Sequence, residues 1–228
     1  MKPHQEKFII LINFKRLTGD RAKHLTVELN KIDNRIRENF DIIAALQPRD
    51  ALHIAGNISL PIFIQDACCG SGGSGDGFLE GIEPRLISQA KIRGIILSHP
   101  EKKVPLPVLA ERTSVVKKLG LEIMLCATTL NDGIELNRRF EPEYLTVENE
   151  QLIGQDISIS DFCPGMVEEA IRVIDNRVLF GGGIRSPRDI HFIWKTGGAG
   201  VLISSLILKS PHPLATLTDL LNPTHYID

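Results

Sequence analysis

The chain has 228 residues, 43% hydrophobic and 24% charged, and its 26 Lys and Arg against 28 Asp and Glu leave a formal net charge of -2. That length suits a single α/β barrel whose core needs no disulfide or metal staple. Nothing in the charge balance suggests a nucleic-acid or membrane-surface partner, which would need a basic stripe, and no run approaches the ~20 apolar residues of a membrane span.

The first apolar run, Phe8-Ile9-Ile10-Leu11-Ile12, ends in Asn13-Phe14-Lys15. Polar Asn13 and Lys15 interrupt it and no small-residue cleavage site follows, so it does not read as a secretory leader. Asn13 and Lys15 alternate, which at a strand end lets both side chains enter one interior. A lysine there is either offset by an anionic substrate, or solvated, or paired with Glu101. After Asp20, residues Leu25, Leu29, Ile32 and Ile36 share one face at steps of four, three and four, which predicts a helix. Further runs centre near Ile43 and Phe63. Beyond them, Cys69-Gly70-Ser71-Gly72-Gly73-Ser74-Gly75-Asp76-Gly77 lacks a phosphate-loop lysine and reads as a mobile loop available for subunit contact.

Gly94-Ile95-Ile96-Leu97 is apolar on both faces, as strands covered by helices are. Ser98-His99-Pro100-Glu101 follows. With Pro100 opening a helical turn, the Glu101 N–H would donate to one ring nitrogen and leave the other N–H as an electrophile. The alternative is an ordinary hydrogen-bonded core histidine. The run near Leu125 ends in Cys126, which reads as core lining. Tyr144-Leu145-Thr146-Val147 carries Glu148 directly before the loop 149–156. A partly desolvated carboxylate at that place suits a general base, unless it only bonds a neighbouring loop.

Pro164 opens a helix with Val167, Ala170, Ile171 and Ile174 inward and Glu168 and Glu169 outward; Pro187 opens another with Ile190, Ile193 and Trp194 inward. The last two runs centre near Leu179 and Leu202. Gly181-Gly182-Gly183-Ile184 follows one and Ser204-Ser205 the other, where backbone amides would hold a phosphate.

The eight centres lie between 20 and 33 residues apart, room for a helix each. They predict a (β/α)8 barrel of eight parallel strands in a single domain over residues 1–228. Candidate residues follow units one, four, six, seven and eight, which favours a barrel over a doubly wound sheet with one switch point. The four cysteines have no zinc-ligand spacing, so reduced thiols, no bound metal and a cytoplasmic setting are expected.

Taken in this order, Ile12-Asn13-Phe14-Lys15, Pro61-Ile62-Phe63-Ile64-Gln65, Leu97-Ser98-His99-Pro100-Glu101, Val147-Glu148 with Leu152-Ile153-Gly154, and Gly181-Gly182-Gly183-Ile184 resemble the triosephosphate isomerases of the shorter, archaeal type. The resemblance covers nearly the entire chain. It implies interconversion of dihydroxyacetone phosphate and glyceraldehyde 3-phosphate, a step of glycolysis and gluconeogenesis, without a cofactor. It also implies a homo-oligomer, dimeric or tetrameric. By resemblance Glu148 would be the base, His99 the proton shuttle at the enediolate oxygens, Lys15 an electrostatic stabiliser and Asn13 an orienting group. Gly154 would belong to a closing lid, and amides near Gly182, Gly183, Ser204 and Ser205 would hold phosphate. This family is itself the standard case of a neutral catalytic histidine at a helix start facing a glutamate base.

Five positions depart from the family pattern. Pro100 replaces a serine, Asn149 a proline, Gln155-Asp156 the Thr-Gly of the lid's Gly-Thr-Gly, and Asp76 a threonine that reaches a neighbouring subunit. Two other readings stay open. Gly181-Gly182-Gly183-Ile184-Arg185-Ser186 also resembles the phosphate motif of histidine- and tryptophan-pathway barrels, although no aspartate precedes Asp20 at the first strand. A non-catalytic phosphometabolite-binding homologue is the other.

Overall fold

Each apolar run becomes a strand: β1 Phe8–Asn13, β2 Phe40–Leu46, β3 Ile62–Gln65, β4 Ile92–Leu97, β5 Glu122–Ala127, β6 Tyr144–Glu148, β7 Val178–Gly181 and β8 Gly200–Ile203. All pair in parallel with their sequence neighbours, and β1 pairs β8 to close the barrel in the order β1-β2-β3-β4-β5-β6-β7-β8. This computed structural model describes residues 7–65, 90, 92–152 and 155–222. The glycine- and serine-rich loop 69–77 and Gly154 therefore lie outside the described residues.

Strand alternation sorts the core into two layers. Ile9, Leu11, Ile43, Ala45, Phe63, Ile96, Met124, Cys126, Tyr144, Leu179 and Leu202 fill the barrel interior. The opposite-facing residues, among them Ile10, Ile12, Ile64, Leu97, Leu125, Val147, Phe180 and Val201, pack under the helices. Burial on both faces explains why the strands read as continuous apolar runs rather than alternating ones. Cys126 is fully buried, as its core reading requires.

At the barrel's floor, where the strands begin, the Arg93 guanidinium bonds Asp41, Glu122 (2.8 Å) and the Tyr144 hydroxyl (2.9 Å). Arg177 stacks on the Tyr144 ring at 4.9 Å. This half-buried cluster satisfies the polar groups that close one end, leaving the strands' C-terminal ends as the open mouth.

The helix expected from Leu25 to Ile36 is two helices, Gly19–Leu29 and Asn34–Asn39. Periodicity continues across the break, since Leu25, Leu29, Ile32 and Ile36 are all buried. Side-chain bonding ends the first helix. Asn30 Oδ1 accepts from the amides of Ser59 and Leu60, both at 3.0 Å, and Asp33 caps the second helix through the Arg35 amide at 2.8 Å. The helices opened by Pro164 and Pro187 form as expected, over Pro164–Val173 and Pro187–Thr196.

Candidate active site

At the mouth, the interior-facing positions turn polar. Asn13 ends β1 in step with Ile9 and Leu11, Gln65 ends β3 in step with Phe63, and Glu148 ends β6 in step with Tyr144 and Thr146. All three are buried. His99 follows β4 and is buried too. One Glu148 oxygen, Oε1, lies 3.3 Å from His99 Nε2, and Asn13 Nδ2 lies 3.1 Å from the same nitrogen.

The hydrogen-bond network assigns the protons. Pro100–Lys102 forms a 3₁₀ turn, and the Glu101 amide donates to His99 Nδ1 at 3.3 Å. Nδ1 therefore carries the lone pair, and in a neutral ring the proton lies on Nε2, so the 3.1 Å approach of Asn13 Nδ2 to His99 Nε2 sets two donors side by side rather than bonded to each other. Asn13 Oδ1 accepts from the Lys15 amide at 2.9 Å and from the Gln65 amide, so Asn13 turns its NH₂ toward His99. Two donors thus face one point at the mouth, the arrangement that stabilises an oxygen gaining negative charge. Gln65 also donates to the Ala45 carbonyl at 3.1 Å, which fixes its own orientation and through it that of Asn13.

Lys15 lies just beyond β1 with φ 52°, and Ser98, which leads into His99, has φ 58°. Left-handed backbone costs a non-glycine residue about 1–3 kcal/mol and persists only where its surroundings enforce it. Around Lys15 the enforcing bonds are Asn13 Oδ1 to its amide and Gln47 Nε2 to its carbonyl at 2.6 Å. Its ammonium pairs with Glu101 at 2.8 Å. Sequence left open whether Lys15 faces the site or pairs with Glu101; it does both. Burial works against the Glu101 carboxylate, but the Lys15 hydrogen bond and charge, with His99 and Arg16 near, hold it below its ordinary range.

Glu148 Oε1 is buried and accepts no hydrogen bond among the described residues. A buried carboxylate oxygen left without a donor is costly unless its lone pair has another task. Its neighbour across the β6–β7 ladder is Gly181. A Cβ on Gly181 would stand 2.5 Å from Glu148 Cγ and 2.8 Å from Oε2, so the carboxylate occupies space that only glycine leaves.

On the far side of Glu148, one cleft is lined by Lys15, Gly182, Gly183, Ser204 and Ser205, together with Leu152, Gln155 and Arg185. Gly182 and Gly183 hold φ 75° and 80°, and the short helix Ser205–Leu208 begins at this wall. The sequence-predicted residues after β7 and β8 thus share one cleft with Lys15 and Glu148. The segment after Glu148 is fastened beside it. Ile159 donates to the Gly183 carbonyl at 3.0 Å, and the buried Asp189 accepts from Ser158 and Ser160 on one oxygen and from the Arg185 and Ser186 amides on the other. Burial opposes the Asp189 charge, but these donors hold its carboxyl below the usual range.

Sequence reasoning missed the roles that Gln65, Gly181 and Asp189 play here. Asp189 alone had a local signal, the capping box Ser186-Pro187-Arg188-Asp189. Among the described residues no cluster of three His, Cys, Asp or Glu side chains could ligate a metal, and no helix is long and apolar enough to cross a membrane.

No family model matches the chain. Triosephosphate isomerase of Methanosarcina acetivorans is 30% identical over 93% of this chain and 96% of its own. The isomerase of Metallosphaera sedula is 28% identical over 94% of both chains, and that of Methanocaldococcus jannaschii 27% over 93% and 98%. Among solved structures, a tryptophan synthase α-subunit of Pyrococcus furiosus superposes with a TM-score of 0.67 at 14% identity, covering 94% and 97% of the two chains. The thiamine phosphate pyrophosphorylase of the same organism superposes at 0.59, also at 14% identity, over 96% and 95%. The superpositions establish the eight-stranded barrel. With the sequence relatives matching from end to end, the chain belongs to the triosephosphate isomerase family.

Proposed function

We propose that this chain interconverts dihydroxyacetone phosphate and D-glyceraldehyde 3-phosphate through an enediolate. The observation that carries the reading is the buried Glu148 Oε1, which accepts no hydrogen bond among the described residues and lies 3.3 Å from His99 Nε2. Glu148 takes the proton from the carbon beside the carbonyl, and the electron pair left behind shifts onto the carbonyl oxygen. His99 Nε2–H and the Asn13 NH₂ stabilise that oxygen, and His99 passes a proton between the two enediolate oxygens. Glu148 then returns its proton to the neighbouring carbon. Lys15 offsets the growing negative charge.

In this reading the amides of Gly182, Gly183, Ser204 and Ser205 hold the phosphate, and Gly154 belongs to a lid that excludes water until reprotonation is complete. Each proton-transfer group would contribute roughly 10²–10⁴-fold. No cofactor is needed. A cytoplasmic homo-oligomer, dimeric or tetrameric, completes the proposal.

The test is the isomerisation of glyceraldehyde 3-phosphate by the wild type beside Glu148→Gln. Turnover in the wild type with roughly 10²-fold or greater loss in the variant supports the reading. A folded wild type that binds phosphate but does not turn over would make it a non-catalytic phosphometabolite-binding protein.

A further inference from the structure

The cleft wall carries a cation that the proposed mechanism leaves unused. Arg185 follows the glycines of the β7 loop and lines the same cleft as Gly182, Gly183, Ser204 and Ser205. Its guanidinium reaches back to the segment that follows Glu148. One nitrogen donates to the Gln155 carbonyl at 3.1 Å, and the other pairs with the Asp156 carboxylate. Asp156 is 87% exposed, so water competes for this pair and its net worth is small.

A carboxylate beside a phosphate site is unfavourable unless a cation intervenes. A guanidinium that presents several donors in one plane suits a phosphate dianion better than one solvated carboxylate. The backbone around Arg185 is fixed, because its amide donates to the buried Asp189 at 3.1 Å. The side chain has a rigid base, two partners on the neighbouring loop of which the charged one is solvated, and a cleft in front of it.

We propose that Arg185 is a phosphate-contact residue of this site, held ready by Asp156 and Gln155 and transferred to the substrate's phosphate when it binds. The inference rests on the isomerase reading only for the identity of the substrate. It makes the site selective for a dianionic end group, and ties occupancy of the cleft to the segment that follows the base.

The test measures inorganic phosphate binding by calorimetry on the wild type, Arg185→Ala, Asp156→Asn and the double variant. Arg185→Ala weakens phosphate binding roughly ten- to a hundred-fold, as expected for a lost hydrogen bond to a charged group. Asp156→Asn tightens it, because the like charge disappears and the competing carboxylate becomes a weaker, neutral amide acceptor. The double variant stays weak. A double variant restored to wild-type affinity would overturn the proposal, since Arg185 would then only cancel Asp156. Unchanged affinity in Arg185→Ala would overturn it as well.

Kinetics supply a second readout. Arg185→Ala lowers kcat/KM for glyceraldehyde 3-phosphate but not for phosphate-free glyceraldehyde; equal losses on both would contradict a phosphate contact. Calorimetry needs no turnover. A chain that binds phosphate through Arg185 yet fails to isomerise would therefore sink the isomerase reading and keep this one.

Discussion

Glu148 and Gly181 face each other across the β6–β7 ladder, and a Cβ at Gly181 would lie 2.5 Å from Glu148 Cγ. The base keeps its place because its neighbour has no side chain. Gly181→Ala should push the carboxylate aside and lower kcat roughly 10²-fold, the scale of a displacement near 1 Å. Crowding should cost about 1–3 kcal/mol of stability. In a Glu148→Ala background the same change should cost less, and thermal melts of the four-member cycle measure that coupling.

Asn13 is aimed by Gln65, whose amide bonds both Asn13 Oδ1 and the Ala45 carbonyl. Gln65→Met keeps the volume and removes the donor. It should destabilise the fold by about 1–3 kcal/mol, since buried acceptors lose a partner. It should also lower kcat more than it raises KM, because Asn13 is aimed at an oxygen charged only in the transition state. Steady-state kinetics beside denaturant titrations check both.

Asp189 joins the segment after Glu148 to the β7 loop with buried bonds to Ser158, Ser160, Arg185 and Ser186. Asp189→Ala should cost about 3 kcal/mol and lower Tm by about 6–12 °C. The folded-state carboxyl sits below its ordinary 3.8. Its contribution is therefore full above that ordinary value and is lost as pH falls through the lower folded one. Wild-type stability should drop more steeply than the variant's in that acid window, which melts in steps of pH would show.

Glu101 is likewise held below its ordinary 4.5, against the effect of burial, by Lys15 first among its cationic neighbours. The Lys15–Glu101 pair should stay intact at neutral pH and break only as pH falls through the lowered value. A carboxyl NMR titration reads this directly. In Lys15→Met the Glu101 titration should move up, and an unmoved titration would mean the pair does not hold Glu101 charged.

The strands were legible because burial on both faces leaves runs such as Gly94-Ile95-Ile96-Leu97 without alternation. Asn13, His99 and Glu148 were legible as polar residues ending such runs. The break between Leu29 and Asn34 was not, because Ile32 and Ile36 continue the apolar stripe. What stops the helix is Asn30 bonding Ser59 and Leu60, distant in sequence. Gln65 reads like any polar strand end until the fold sets it against Asn13. Gly181 reads as the start of a turn, and its second role appears only once the β6–β7 register places it beside Glu148. The capping box at Ser186 and Asp189 is local, but the bonds to Ser158 and Ser160 come from another loop.

The most direct measurement is deuterium uptake during isomerisation of dihydroxyacetone phosphate in D₂O, with the wild type beside Glu148→Gln. A carboxylate that carries the proton exchanges it with solvent before returning it, so wild-type product should carry carbon-bound deuterium and the variant should form little product. Rapid isomerisation by Glu148→Gln with the same deuterium content would contradict the assignment of Glu148 as the base.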